Sequence, residues 1–144
     1  MIEENLHEVL RSIEESRAKR TIADAKEPVR LVAVTKNHGV AEMREAIAHG
    51  VTDIGENRIQ EAREKFETLE RTAVWHLIGH LQKNKAKYAV KLFDLIHSVD
   101  TLELAEALDK EAGKISKRQD VLVQVNLAKE ASKSGIYEED LQPL

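Results

Sequence analysis

Cysteine is absent from all 144 residues. That excludes a disulfide framework, a thiolate nucleophile and a thiolate metal site. No apolar run approaches the roughly 20 residues of a membrane-spanning helix. The opening residues Met1-Ile2-Glu3-Glu4-Asn5 are acidic and amphipathic, unlike a secretory signal. With 2 prolines and 6 glycines, the chain shows no linker and no low-complexity segment. Gly55 and Gly79 each stand alone, without a G-x-G-x-x-G or Walker A pattern, so there is no nucleotide fingerprint. No nucleophile elbow or Ser-His-Asp order occurs either. His76 and His80 are four apart but lack the glutamate of a zinc helix, which argues against a metal there. A net charge of −4 speaks against a general binder of nucleic acid or anionic membrane.

What is present is a soluble globular balance, 42% hydrophobic and 33% charged, sufficient for one domain with one core. The expectation is a single-domain protein of cytoplasmic type. The stretch Leu31-Val32-Ala33-Val34-Thr35-Lys36 organises the rest. Its apolar, largely β-branched run reads as a strand buried on both faces, as in a parallel sheet. A lysine at the carboxyl end of such a strand sits where parallel α/β proteins place their ligand sites. Partial desolvation of its stem there would favour the free amine, which attacks carbonyls.

Around that strand the chain alternates. Ile2, Leu6, Val9, Leu10 and Ile13 share one stripe of a lead helix over residues 2–20. Asp24 to Pro28 reads as a loop. A helix over 39–49 carries Val40, Met43, Ala46 and Ile47 toward a sheet, with Gly50 placed as its C-terminal glycine. Val51–Ile54 is the second strand, followed by a helix marked by Ile59, Ala62, Phe66 and Leu69. Val74–Ile78 is the third strand, with Trp75 expected in the core. A helix over Lys83–Lys91 precedes a fourth strand, Leu92–His97. Asp100 with Glu103 reads as a capping box for a helix bearing Leu104, Ala105 and Leu108. The fifth strand, Asp120–Val125, ends at Asn126, and a last helix start follows Lys133-Ser134-Gly135. Such spacing fits βαβ crossovers, either in an open doubly wound sheet or in the first part of a (β/α)8 barrel.

Polar residues follow each strand: Lys36; Glu56 and Asn57; His80 and Gln82; Ser98 and Asp100; Asn126. In a parallel sheet these ends converge on one face. Together they suit a small molecule bearing a carbonyl and a phosphate. Lys83, Lys85, Lys87 and Lys91 around Tyr88 form a basic patch that reads as the outer face of a barrel helix, with binding of RNA or of an acidic partner as the competing idea.

Five segments carry a family likeness: the Lys36 strand, Gly55-Glu56-Asn57-Arg58-Ile59-Gln60-Glu61, Trp75 to Lys85, His97-Ser98-Val99-Asp100 and Val123-Gln124-Val125-Asn126, continued by Lys133-Ser134-Gly135. In this order they resemble the YggS/PROSC family of pyridoxal 5′-phosphate homeostasis proteins, whose single barrel is similar to the N-terminal domain of alanine racemase. The resemblance implies an α/β fold of (β/α)8 TIM-barrel type, of which residues 1–144 supply the lead helix and the first five strands as one incomplete domain. It implies an internal Schiff base between pyridoxal 5′-phosphate and Lys36, with Asn57, His80, Ser98 and Asn126 lining the same mouth. The implied role is a non-catalytic carrier that buffers the cofactor or delivers it to apo-enzymes dependent on it. The alternative is a racemase-like enzyme, for which no second base is evident. The family's barrel runs on for roughly three more βα units, whose late loops hold the phosphate. A chain without them is expected to hold the cofactor weakly, or to shield its open edges by self-association.

Overall fold

A computed structural model describes residues 1–21 and 27–142. Residues 24–26 of the loop expected from Asp24 to Pro28 therefore lie outside the described residues. Helix α1 spans Ile2–Ala18. Strands β1 (Val32–Val34), β2 (Asp53–Glu56), β3 (Val74–Leu77), β4 (Leu95–Val99) and β5 (Asp120–Val123) alternate with helices α2 (Val40–Ala48), α3 (Ile59–Leu69), α4 (Ala86–Leu92) and α5 (Leu102–Lys114). The strands form one sheet in the order β1-β2-β3-β4-β5, and every pairing is parallel. This is the expected architecture: each strand lies beside its sequence neighbour, as in a barrel wall.

The core lies between sheet and helices. Trp75, Met43, Ile54, Leu77, Phe93 and Ile96 are fully buried. Trp75 meets Phe66 of α3 edge to face, with ring centroids 5.3 Å apart. Its Nε1 donates to the Glu70 carbonyl at 2.9 Å, so the one polar atom of the indole is satisfied. Truncating it to alanine would cost about 3–5 kcal/mol. Because side chains alternate along a strand, Trp75 and Leu77 face the helices and His76 faces the opposite, inner side of the sheet.

Several boundaries differ from the sequence reading. The fourth strand starts at Leu95, not Leu92. Leu92 closes α4, and Asp94 turns the chain by accepting the Trp75 amide on Oδ2 at 2.8 Å. The second strand is shifted two residues on, to Asp53–Glu56, so a buried glutamate ends it. The third and fifth strands stop earlier, at Leu77 and Val123, and Val125 makes an isolated bridge to Ile136. A 3-10 turn over Lys83–Lys85 precedes α4. The last turn among the described residues, Glu138–Asp140, is likewise 3-10. Thr101, not Asp100, caps α5: its Oγ1 accepts the Leu104 amide at 3.1 Å. Asp100 instead accepts the Gly135 amide at 3.2 Å. Gly50 takes φ 105° just beyond α2, as its position predicts.

The strand β1 is not buried on both faces. It is an edge, and Val34 is 49% exposed. All four residues of β5, the other edge, are also exposed. On α1 only Leu6 of the predicted stripe is buried, while Val9 and Leu10 remain largely in solvent.

Candidate functional site

The loop that follows β1 is tied down on both sides of Lys36. On one side stands Thr35, which is buried. Its carbonyl accepts a hydrogen bond from Lys65 Nζ at 2.7 Å, and its hydroxyl donates to Glu56 Oε1. The same Lys65 ammonium donates to Glu56 Oε1 and to Glu61 Oε1, each at 2.7 Å. On the other side the Asn37 amide donates to Glu61 Oε1 at 2.6 Å. Asn37 adopts φ 64°, a left-handed turn that asparagine tolerates better than most residues. Hydrogen bonding by the Lys65 ammonium, with that of the Asn37 amide, holds the Glu61 carboxyl below the ordinary glutamate range despite some burial.

Glu56 is completely buried and Lys65 nearly so, so this knot joins β1, β2 and α3 beneath the loop. Removing one partner of a buried pair leaves an uncompensated charge. Lys36 itself is exposed, contrary to the desolvated stem read from sequence. It follows an edge strand, and nothing packs over it. Among the described residues its ammonium has no hydrogen-bond or ion-pair partner.

Asn57 and His80 are brought together. A Cβ on Gly79 would fall 2.3 Å from the Asn57 carbonyl oxygen, so only glycine lets the loops after β2 and β3 pack this closely. Both residues line a cavity of about 320 Å³ between α3 and α4. Ser98 and Asn126 sit apart from that cavity. Ser98 is buried and its Oγ has no hydrogen-bond partner. Asn126 spends its amide on its own loop, donating from Nδ2 to the Glu130 carbonyl at 2.9 Å and the Lys133 carbonyl at 3.4 Å. Gly135, at φ 123°, closes that loop where a Cβ would lie 2.8 Å from the Asn126 nitrogen. The expected residues thus divide. Lys36, Asn57, His80 and Asn126 follow parallel strands and Ser98 lies inside β4, but only Asn57 and His80 share a cavity.

Sequence reasoning missed the Lys65 knot and a second cluster on the inner face. His76 Nε2 lies 2.8 Å from Asp53 Oδ1, and His76 Nδ1 lies 2.9 Å from His97 Nε2. Burial raises the Asp53 carboxyl, but hydrogen bonds from Thr52 and His76 and the charge of Arg30 outweigh it and leave the group lowered. Burial, and then the charge of His76, push His97 below the ordinary histidine value. His76, half of the His76/His80 spacing in the sequence, therefore acts within this cluster.

The sequence pattern of the alanine racemase N-terminal domain matches residues 13–144. The chain belongs to the alanine racemase N-terminal domain family. Within it, the chain is 43% identical over 123 residues to the pyridoxal phosphate homeostasis protein of Synechocystis sp., covering 84% of this chain and 56% of the relative. Against the pyridoxal phosphate homeostasis protein of Escherichia coli strain K12 it is 35% identical over 122 residues, covering 82% and 52%. The solved structure of PipY from Synechococcus elongatus PCC7942 without PLP superposes with a TM-score of 0.81 at 41% identity, covering 98% of this chain and 61% of PipY. PipY with PLP bound gives 0.79 at 39% identity, covering 98% and 60%. The chain therefore spans a little over half of these relatives' length. Its five-stranded parallel sheet is part of the family's TIM-type barrel.

Proposed function

We propose that this chain takes part in pyridoxal 5′-phosphate homeostasis by holding the cofactor as a Schiff base on Lys36, as a carrier and not as a catalyst. The observation that carries the reading is the Lys36 loop. An ammonium without partners stands at the carboxyl end of a parallel strand, between two residues fixed by one buried ion-pair network. Pyridoxal phosphate supplies an aldehyde, which condenses reversibly with a lysine amine and releases water. The lysine must first shed a proton, and a fixed backbone limits where its amine can reach.

The donor set fits the aldehyde end of the cofactor: one uncommitted amine, the Asn57 amide, the His80 ring and the unpaired buried hydroxyl of Ser98. We assign Asn57, His80 and Ser98 to the walls of the mouth. We assign Asn126 to shaping its rim, because its amide is engaged by its own loop. PipY with PLP bound, and relatives named for pyridoxal phosphate homeostasis, support the reading. Apo-enzymes dependent on the cofactor are the proposed recipients, and the cytoplasm the proposed compartment. Among the described residues no helix is long and apolar enough to cross a membrane. We treat residues 1–144 as one domain and propose that the two open strand edges favour self-association.

Gel filtration of the chain after incubation with pyridoxal phosphate tests the reading. The native chain should carry cofactor absorbance through the column, and Lys36→Ala should lose it while eluting at the same volume. Equal retention by Lys36→Ala would rule out capture at this residue.

A further inference from the structure

The cavity between α3 and α4 has an unusual lining. Arg58 and Arg63 of the α3 side face Lys85 and Tyr88 of the α4 side across about 320 Å³, and no carboxylate lines it. The chain as a whole carries 26 acidic and 22 basic residues, so this local excess runs against the overall balance. Several cations elsewhere reach carboxylates: Arg17 with Glu14, Arg71 with Asp94, Lys114 with Glu111, Lys129 with Glu139. Among the described residues Arg58, Arg63 and Lys85 have none within ion-pair distance.

What holds the cations together is the Tyr88 ring. Arg63 Cζ lies 4.9 Å from its centroid, Lys87 Nζ 4.8 Å and Lys85 Nζ 6.0 Å. A ring face attracts each of them, but like charges gathered around it repel one another. A hydrogen bond and charge from Lys87, with the charges of Arg63 and Lys85, draw the phenol below its ordinary value. The positive field is therefore felt by the one ionisable group at its centre. Gln60 and Gln82 add amides to the lining. Glu64 does not enter it, and accepts from Gln60 Nε2 at 2.9 Å.

We propose that this cavity is an anion site distinct from Lys36, taking the phosphate of a small phosphomonoester. Arg58, Arg63 and Lys85 neutralise the dianion, and Gln60 and Gln82 hydrogen-bond its polar remainder. A compact ligand is favoured over a nucleic acid, because these cations converge on one hollow of limited volume and the net charge of −4 repels an extended polyanion. The cavity shares Asn57 and His80 with the walls assigned to the Lys36 mouth, but its cations stand apart from Lys36. Glu61 and Lys65 turn to the β1 flank of α3, whereas Arg63 turns to the α4 flank.

Titration with inorganic phosphate and with glycerol 2-phosphate, followed by amide chemical shifts, tests this. Saturable shifts should centre on Arg58–Arg63 and Gln82–Tyr88. Arg63→Gln and Lys85→Gln should each weaken binding about tenfold, as expected for losing a charge-assisted hydrogen bond. Their thermal unfolding should match the native chain, and Lys36→Ala should bind like it. Loss of binding in Lys36→Ala would assign the phosphate to the Lys36 mouth and overturn the proposal. So would shifts that never saturate. Tighter binding of a single-stranded RNA that depends equally on Lys83 and Lys91 would overturn it in favour of an outer-face patch.

Discussion

The two flanks of α3 treat charge in opposite ways. Toward β1, Lys65 is buried and bonded to Glu56, Glu61 and the Thr35 carbonyl. Toward α4, Arg58 and Arg63 face a cavity with no carboxylate in its lining. The residues alternate within two turns of one helix, so composition does not separate them. Direction does. Charge that is paired and buried fixes backbone, here the segment on either side of Lys36. Charge left unpaired at a cavity fixes nothing and stays available to a ligand. The first flank prepares a site by rigidity, the second by field.

Breaking the buried flank should have the largest effect. Lys65→Met leaves Glu56 buried without its cation and should cost about 3–5 kcal/mol in urea unfolding. Arg63→Gln, on the other flank, should change stability by less than about 0.5 kcal/mol. Equal losses would erase the distinction. Pairing Lys65→Met with Glu56→Gln should recover part of the loss, since no buried charge is then stranded.

A smaller, sharper break is Glu61→Gln. It weakens the hold on Asn37 while leaving the Lys65–Glu56 pair in place, and should cost about 1–2 kcal/mol. Amide exchange at Asn37 should quicken with little change across β3. Exchange that stays slow would mean that the Glu61 contact does not hold the loop.

The inner-face cluster sets a pH dependence of similar or lesser size. His97 is depressed, so below the ordinary imidazole value near 6.5 the unfolded chain takes up a proton that the folded chain refuses. Stability should therefore be full above that pH and fall as pH drops through the window beneath it. Glu61 and Asp53 are also depressed, and their contributions persist above the unfolded carboxylate range and fade only as acid reaches their lower folded values. Unfolding midpoints between pH 8 and pH 5 should slope in the native chain and flatten in His97→Gln. An unchanged slope would place the proton elsewhere.

Much of the architecture was legible in the sequence. Met43, Ala62, Leu69, Leu104 and Leu108 announce inward helix faces by spacing, and each is buried. Strand positions were legible to within about two or three residues. The cap of α5 was not, because Asp100 and Thr101 are both good caps and the choice was settled by Gly135, 35 residues away. Of the site, Lys36 was legible from its place after a strand. The knot beneath it was not. Glu61 and Lys65 stand four apart, the spacing of an ordinary surface pair, and only the packing of β2 against α3 buries Lys65 beside Glu56. The division of Asn57 and His80 from Ser98 and Asn126 was hidden for a related reason, since a strand end announces a direction but not which neighbour its loop will touch.

The central claim is that Lys36 captures the cofactor because its loop is held. Borohydride reduction of the chain incubated with pyridoxal phosphate, followed by peptide mass mapping, tests this most directly. The account predicts one reduced adduct on Lys36 in the native chain, with sharply less in Glu61→Gln. Adducts scattered over the surface lysines, or undiminished labelling of Lys36 in that variant, would contradict it.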